Sequence, residues 1–570
     1  MSDYRWEIAP SNAGEVHRLQ QQVALTDVGA MILSSRGITA GTVEDFLQPA
    51  LRNLSDPYNL PGTERAAARP WEAVQRGETI LIHGDYDTDG ITSAVLVSQV
   101  LSQCGGRTEV FLPHRIDDGY GLTAESIDKA CCEHHSLLVT VDCGINSIEA
   151  VEAATRQGID VLVTDHHEPG EEKPAAVAVI DPKLPGADAR IQELAGVGVA
   201  FKVCHAFLKY GREHDLGGFD IQLEDVLDLV ALGTVADIVP LLDENRTLVR
   251  HGLEVLSRQH RPGVRALCEL AKLDDRVKAR DIAYRLAPRL NASGRIGDAT
   301  LSKDLLLADN MRDAYSLAER LDEQNRNRQG LEADTFTQAE QQIEEICDVT
   351  SDRTIVVAGE DWHQGVLGIV AARLARRFHR PCIVLTRDIN GFYSGSGRSV
   401  SGVNLVGMLE QCQALLTRYG GHPMAAGLSF LPEHLASFRE EFEKTVRENL
   451  TLDDMRPRLE VCGEVTLGDI DELFLSELEL IEPFGQGNPE PVLMSRRVTA
   501  SGIALVGNGH TRGLLHDDSG SPPLKFIAFG RTPDTFPDAP WDVAFRPQLN
   551  TYNGYSRPQA CIVDVRRTEV

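Results

Sequence analysis

Apolar and polar positions along this chain fall into a recurring order. A short β-branched run comes first, then a turn rich in acids or imidazoles, then a longer segment with helical spacing. Thr79-Ile80-Leu81-Ile82 leads into His83-Gly84-Asp85-Tyr86-Asp87-Thr88-Asp89-Gly90. Leu137-Leu138-Val139-Thr140-Val141 leads into Asp142-Cys143-Gly144, and Val161-Leu162-Val163 leads through Thr164 into Asp165-His166-His167. Apolar runs alternating with helical segments predict parallel strands of a doubly wound α/β sheet from about residue 75 to 300. Side chains at the carboxyl ends of such strands stand in the crevice where open α/β sheets bind ligands.

The later chain changes pattern. Residues 302 to 347 contain no Pro and one Gly, with Leu305, Leu306, Leu317 and Leu321 set among charges. That predicts a long helical connector, broken or weakened near Gly330. A second, smaller α/β domain follows, from Thr354 to about Leu450. Pro483, Pro489 and Pro491 then accompany a switch to short alternating strands with an Asn553-Gly554 hairpin signal. A small β-barrel is the expected solution. Residues 1 to about 60 read as a helical arm. The expected division is 1–60, 61–300, 301–350, 351–450 and 455–570.

Composition bounds this picture. A chain of 570 residues is too long for one core. No apolar run is long enough to span a membrane, and the start lacks a signal-peptide pattern. Eleven cysteines show no CxxC pair, so free thiols in a reducing cytoplasm are expected. Charge cuts against nucleic-acid binding: 56 Lys and Arg face 85 Asp and Glu, for a net −29. Either the substrate is small, or metals and a local basic groove bind a polyanion while acids cover the outside.

Several carboxylates cannot converge in one crevice without a large repulsion unless cations neutralise them. Asp237, ending the apolar stretch Gly233-Thr234-Val235-Ala236, adds a fourth acidic element. Carboxylate oxygen with some imidazole suits Mn²⁺ or Mg²⁺ better than a thiolate-rich zinc site.

These same strings carry a family likeness. Asp85-Tyr86-Asp87-Thr88-Asp89-Gly90, Asp142-Cys143-Gly144, Asp165-His166-His167 and Gly233-Thr234-Val235-Ala236-Asp237 resemble, in order, the motifs of the DHH phosphoesterase superfamily. The strings around Arg115, Asn291, His363, Ser396 and His422 resemble the branch made up of bacterial single-strand-specific 5′→3′ exonucleases. The likeness implies a DHH domain, an associated second α/β domain and an OB-fold. It also implies two-metal phosphodiester hydrolysis of single-stranded DNA, in repair and recombination. The metal set expected here is Asp87, Asp89, Asp142, His166 and Asp237, with Asp85, His83 and His167 as second choices. His167 is expected to orient the scissile phosphate or a ligand.

Recognition residues are carried over from the likeness in the same way. Arg115, Ser396 and Arg398 are implied to hold a 5′-phosphate. Tyr120 either stacks on a base or packs in its Gly-flanked loop. Arg289, Asn291 and Arg295 track the nucleic-acid backbone or form an interdomain contact. His422, placed between glycines and an Ala-rich helix start, is expected at the scissile phosphate. The basic run Arg373, Arg376, Arg377, His379 and Arg380 is a solvated helix face or a DNA track. Phe545, Tyr552 and Tyr555 are stacking platforms or barrel core. Asp181-Pro182 departs from the family's usual Asn-Pro. The likeness further implies a monomer that works with single-strand-binding protein and a RecQ-type helicase. Alternatives are a DHH phosphoesterase acting on short RNA, cyclic dinucleotides or pyrophosphate, and a non-catalytic single-strand-binding scaffold.

Overall fold

The computed structural model describes residues 4–114, 121–123, 126–128, 135–507, 509–552 and 555–568. The arm begins with a short strand, β1 (Arg5–Ile8), before its helices. The catalytic sheet contains β2 (Thr79–Gly84), β3 (Arg107–Phe111), β4 (Leu137–Val141), β5 (Asp160–Thr164) and β6 (Ala178–Ile180). Their spatial order is β3-β2-β4-β5-β6, and every pairing is parallel. Read as five consecutive strands this is the 2-1-3-4-5 order, whose winding direction reverses between β2 and β4. Every residue of β4 is buried, which explains its unbroken apolar run.

Helix Thr88–Gln103 follows β2 at once and is buried along nearly its whole length. Helices Gly196–Glu213 and Leu227–Ala236 pack against it through long buried apolar faces. Among the described residues no helix is long and apolar enough to cross a membrane.

The connector is one continuous helix, Met311–Ile346. Gly330 does not break it. A glycine inside a helix costs about 1 kcal/mol, and the flanking turns offset that through the Arg326–Asp322 and Arg328–Glu332 pairs at 3.3 and 2.8 Å. Buried Leu321, Phe336 and Ile343 add packing along the same helix.

The second sheet comprises β7 (Ile355–Gly359), β8 (Cys382–Arg387), β9 (Tyr393–Arg398), β10 (Arg418–His422) and β11 (Ala425–Phe430), in the order β10-β11-β9-β8-β7. The Ala-rich segment after His422 is therefore a strand and not a helix start. Its alternation of buried Ala426, Leu428 and Phe430 with less buried neighbours is the period of two that a half-buried strand requires.

The last sheet begins after β12 (Arg458–Val461), which pairs in parallel with β1. It holds β13 (Gly463–Glu464), β14 (Leu493–Val506), β15 (His510–His516), β16 (Leu524–Ala528), β17 (Trp541–Tyr552) and β18 (Tyr555–Arg567). The order is β13-β14-β15-β16-β18-β17, and a further β14–β17 pairing closes five strands into a barrel. Phe545 is fully buried in that barrel's core, which settles its role as packing. Truncating a core Phe to Ala costs about 3–5 kcal/mol. The Asn553-Gly554 turn lies outside the described residues.

The arm packs on this barrel. Leu19, Ile32 and Leu33 share a core with Phe474 and Phe526. Glu477 accepts hydrogen bonds from the Thr26 N–H and hydroxyl, both at 2.6 Å. Arg246 of the catalytic domain is buried under both, donating to the carbonyls of Phe46, Leu480, Ile481 and Glu482.

Candidate metal centre and the crevice around it

The strand ends bring the acids together at the switch point. Directly after β2, Asp87 caps helix Thr88–Gln103, accepting from the N–H groups of Asp89 (2.9 Å) and Gly90 (3.1 Å). Asp89 lies in the helix's first turn, and its carboxylate accepts the N–H groups of Gly196 (2.7 Å) and Val197 (2.8 Å). It thereby sits on the positive end of helix Gly196–Glu213. After β4, Asp142 takes a left-handed backbone conformation, φ 60°. His166 follows β5, and Asp237 caps the C-terminus of helix Leu227–Ala236.

His166 is the hub. Its Nε2 lies 3.1 Å from Asp142 Oδ1, 3.6 Å from Asp237 Oδ2 and 3.8 Å from Asp89 Oδ2. Three donor sets each converge to within 4.8 Å: Asp142, His166 and His167; Asp89, His166 and Asp237; Asp85, Asp87 and Asp142. His166 Nε2 and Asp142 Oδ1 are buried and make no hydrogen bond. Burial and then the Asp89 and Asp87 charges push Asp142 well above the carboxylate range. The same causes raise Asp237 to about 9, and burial with Asp87 raises Asp89 to about 7. Burial and the neighbouring His167 lower His166 to about 3, so its imidazole is neutral and fit to ligate.

Two orphaned buried donors amid repelling carboxylates are what a hard divalent cation resolves. The oxygen-rich donor set suits Mn²⁺ or Mg²⁺.

His167 is held differently. Asp165 accepts from the N–H groups of Ile145, His166 and His167, and its Oδ1 lies 2.7 Å from His167 Nδ1. Burial would draw the proton from His167, but Asp165 outweighs it and raises the ring to about 9. The result is a fixed cation at the edge of the acidic cluster. Asp165 belongs to the motif after β5 and holds His167 by contacts within that motif, while the Ile145 N–H from the loop after β4 fixes its other oxygen.

His83 stands apart from the three donor sets. Its Nε2 lies 2.9 Å from the Ser126 hydroxyl and its Nδ1 3.6 Å from Cys143 Sγ, in a fully buried position.

A cleft of about 270 Å³ opens over the acids, lined by Asp85, Asp87, His167, Asn291 and Arg295 among others. Asn291 Oδ1 accepts from the Thr88 N–H and hydroxyl, each at 2.8 Å, and so ties the cleft wall to the acidic loop. Arg289 turns away, bonded to Asp322 at 2.9 Å and to the Arg285 carbonyl at 2.6 Å. Arg398 donates to the Ser396 hydroxyl (2.7 Å) across the face of β9. Gly368 lies beneath them: a Cβ there would fall 2.8 Å from Arg398 Nη2. His422 is exposed on β10. Arg373 and Arg377 point to the connector, near Glu332 (3.6 Å) and Glu340 (2.5 Å). Arg115 and Tyr120 lie outside the described residues.

Fold and site together define a metallophosphoesterase of the DHH type. The family description "DHH family, N-terminal domain" matches residues 79–234, the DHHA1 domain matches 351–448 and the RecJ OB domain matches 463–564. The single-stranded-DNA-specific exonuclease RecJ of Dickeya dadantii is 38% identical over 537 residues, covering 90% of this chain and 92% of that protein. Its namesake in Escherichia coli is 35% identical over 553 residues, covering 94% of each. A crystal structure of RecJ from Thermus thermophilus in complex with Mn²⁺ is similar with TM-score 0.84 and 28% identity, covering 100% of this chain and 80% of that one. The chain belongs to the RecJ family.

Proposed function

We propose that this protein is a metal-dependent exonuclease that degrades single-stranded DNA from its 5′ end to mononucleotides. The observation that carries the reading is the convergence of Asp89, Asp142 and Asp237 on His166 at the switch point of the sheet. In this reading Asp87, Asp89, Asp142, His166 and Asp237 hold two divalent cations, with Asp85 and His167 beside them. Bound Mn²⁺ or Mg²⁺ would make a bound water more acidic and so a better nucleophile, and would neutralise charge on the leaving oxygen.

The chain's own groups do the rest. Asp165 keeps His167 protonated, so that the ring can donate to a phosphoryl oxygen in the cleft. Asn291 fixes the acidic loop while Arg295 meets the strand's backbone. Ser396 and Arg398 form a pocket for the terminal phosphate, on the strand face that Gly368 keeps clear. His422 contributes to the scissile phosphate from the second domain, where it is exposed on β10.

The proposed division follows these roles: an arm over 1–60, a catalytic domain over 61–300, a connector over 301–350, a substrate-binding domain over 351–450 and a barrel over 455–570. A monomer in the cytoplasm, working with single-strand-binding protein and a RecQ-type helicase in repair and recombination, completes the reading.

Comparing hydrolysis of single-stranded DNA, duplex DNA, a dinucleotide and pyrophosphate in Mn²⁺ tests it. Cleavage of the long single strand alone is expected. Cleavage confined to the dinucleotide or pyrophosphate would move the protein to the small-substrate branch.

A further inference from the structure

The cleft over the acids is not the largest hollow in the molecule. A cavity of about 900 Å³ lies between the catalytic domain and the barrel, lined by basic Arg258 and Arg280 and acidic Glu254 and Glu472, with Arg276 and Lys278 paired to Glu479 (3.0 Å) and Glu482 (2.8 Å). One helical run joins the two hollows. It comprises Ala279–Asp281, a π-helical turn Ile282–Leu286 and Ala287–Ile296. Its N-terminal end lines the large cavity and its C-terminal end lines the metal cleft.

The outward face of this run has a definite composition. Ile282, Leu286, Leu290 and Ser293 are buried. Arg280, Tyr284, Pro288, Asn291 and Arg295 recur at spacings of three and four and form the opposite stripe. Tyr284 is 80% exposed and stands one turn after Arg280 on this stripe. It stands seven residues before Asn291, about 10 Å along the axis. The π turn that carries it is a local departure of a kind frequent at functional sites.

We propose that Tyr284 is a stacking platform for a base of the bound single strand. The strand would leave the metal cleft along this stripe and pass over Arg280 into the interdomain cavity. A solvent-exposed aromatic beside a basic group grips a strand through any base, because every base offers a π-face. The inference rests on the nuclease reading and adds to it the path of the strand and a residue that holds it.

Fluorescence anisotropy in a chelating buffer tests this without catalysis, using 5′-phosphorylated oligo(dT) of 4 and 16 nucleotides. The full-length wild type is expected to prefer the 16-mer. Tyr284→Ala is expected to reduce that preference roughly tenfold, in line with about 1–3 kcal/mol per stacked base, and Tyr284→Phe to retain it. A 2-aminopurine walked along the 16-mer should be quenched at one position by the wild type and not by Tyr284→Ala. An unchanged preference in Tyr284→Ala, or quenching that survives the substitution, would overturn the proposal. Failure of the wild type to bind either oligonucleotide would overturn this inference, and if Mn²⁺-dependent cleavage of the single strand is absent as well, the nuclease reading falls with it.

Discussion

Gly196 stands so close to Asp142 that a Cβ on it would lie 2.6 Å from Asp142 Oδ1. The same glycine donates its N–H to Asp89 at 2.7 Å. One residue without a side chain thus lets a carboxylate from a helix's first turn and one from the loop after β4 share the crevice. Gly196→Ala should displace Asp142 from His166 while leaving the helix intact. The expected result is at least a tenfold loss of Mn²⁺-dependent cleavage with a far-ultraviolet circular dichroism spectrum like the wild type's.

The acidic cluster stores repulsion whenever no cation is bound. Burial and neighbouring acids hold Asp142 well above the usual carboxylate range. Asp142→Asn removes one source of that repulsion, so in chelator its Tm should rise by a few degrees. Mn²⁺ should raise the wild type's Tm, because a ligand that binds only the folded state stabilises it, and should leave the variant's nearly unchanged. Thermal scans with and without the ion read both effects.

Asp181 follows β6 and is fully buried, with Oδ1 accepting the Lys183 N–H at 2.8 Å and Oδ2 making no hydrogen bond. Burial raises it from 3.8 to about 7. A carboxyl raised on folding contributes stability that is complete below its unfolded value, near pH 4, and is lost as pH climbs through its folded value, near 7. Urea denaturation from pH 5 to 9 should show a loss on the order of 3 kcal/mol from this group. Asp181→Asn, which mimics the protonated form, should flatten that part of the profile.

Lys202 and Glu244 form an ion pair of 2.6 Å with both side chains buried, and Ser55 completes it by accepting from Lys202 and donating its N–H to Glu244. Lys202→Met leaves the carboxylate buried and unpaired, which typically costs about 3–5 kcal/mol. Adding Glu244→Leu should recover most of that loss in a urea titration. A double variant no more stable than Lys202→Met would mean that the pair itself does not set the cost.

Most of the crevice was legible because Asp85, Asp87, Asp89, Asp142 and Asp165 come just after apolar, β-branched runs that read as buried strands, whereas Asp237 closes the helix Leu227–Ala236. The barrel was legible from its proline-bounded alternation. What stayed hidden depends on contacts between distant segments. Nothing local marks the amides of Gly196 and Val197 as the partners of Asp89, more than a hundred positions earlier in the chain. His83 has a ligand's chemistry and a motif's spacing, yet Ser126 and Cys143 engage its ring. Arg289 reads as a backbone or an interdomain contact, and no local pattern marks Asp322 of the connector helix as its partner. Gly330 reads as a break because propensity sees one residue and not the ion pairs on either side. The pairing of β1 with β12 joins segments some 450 residues apart, and neither strand's own pattern announces the other.

The most direct test of the metal centre and its chemistry is cleavage of a single-stranded oligonucleotide labelled at one end or the other, titrated with Mn²⁺ and repeated with Asp142→Ala. Mononucleotides released from the 5′ end alone, in proportion to bound metal and absent in the variant, are the predicted result. Cleavage that persists in the variant, or that proceeds equally from both ends, would contradict it.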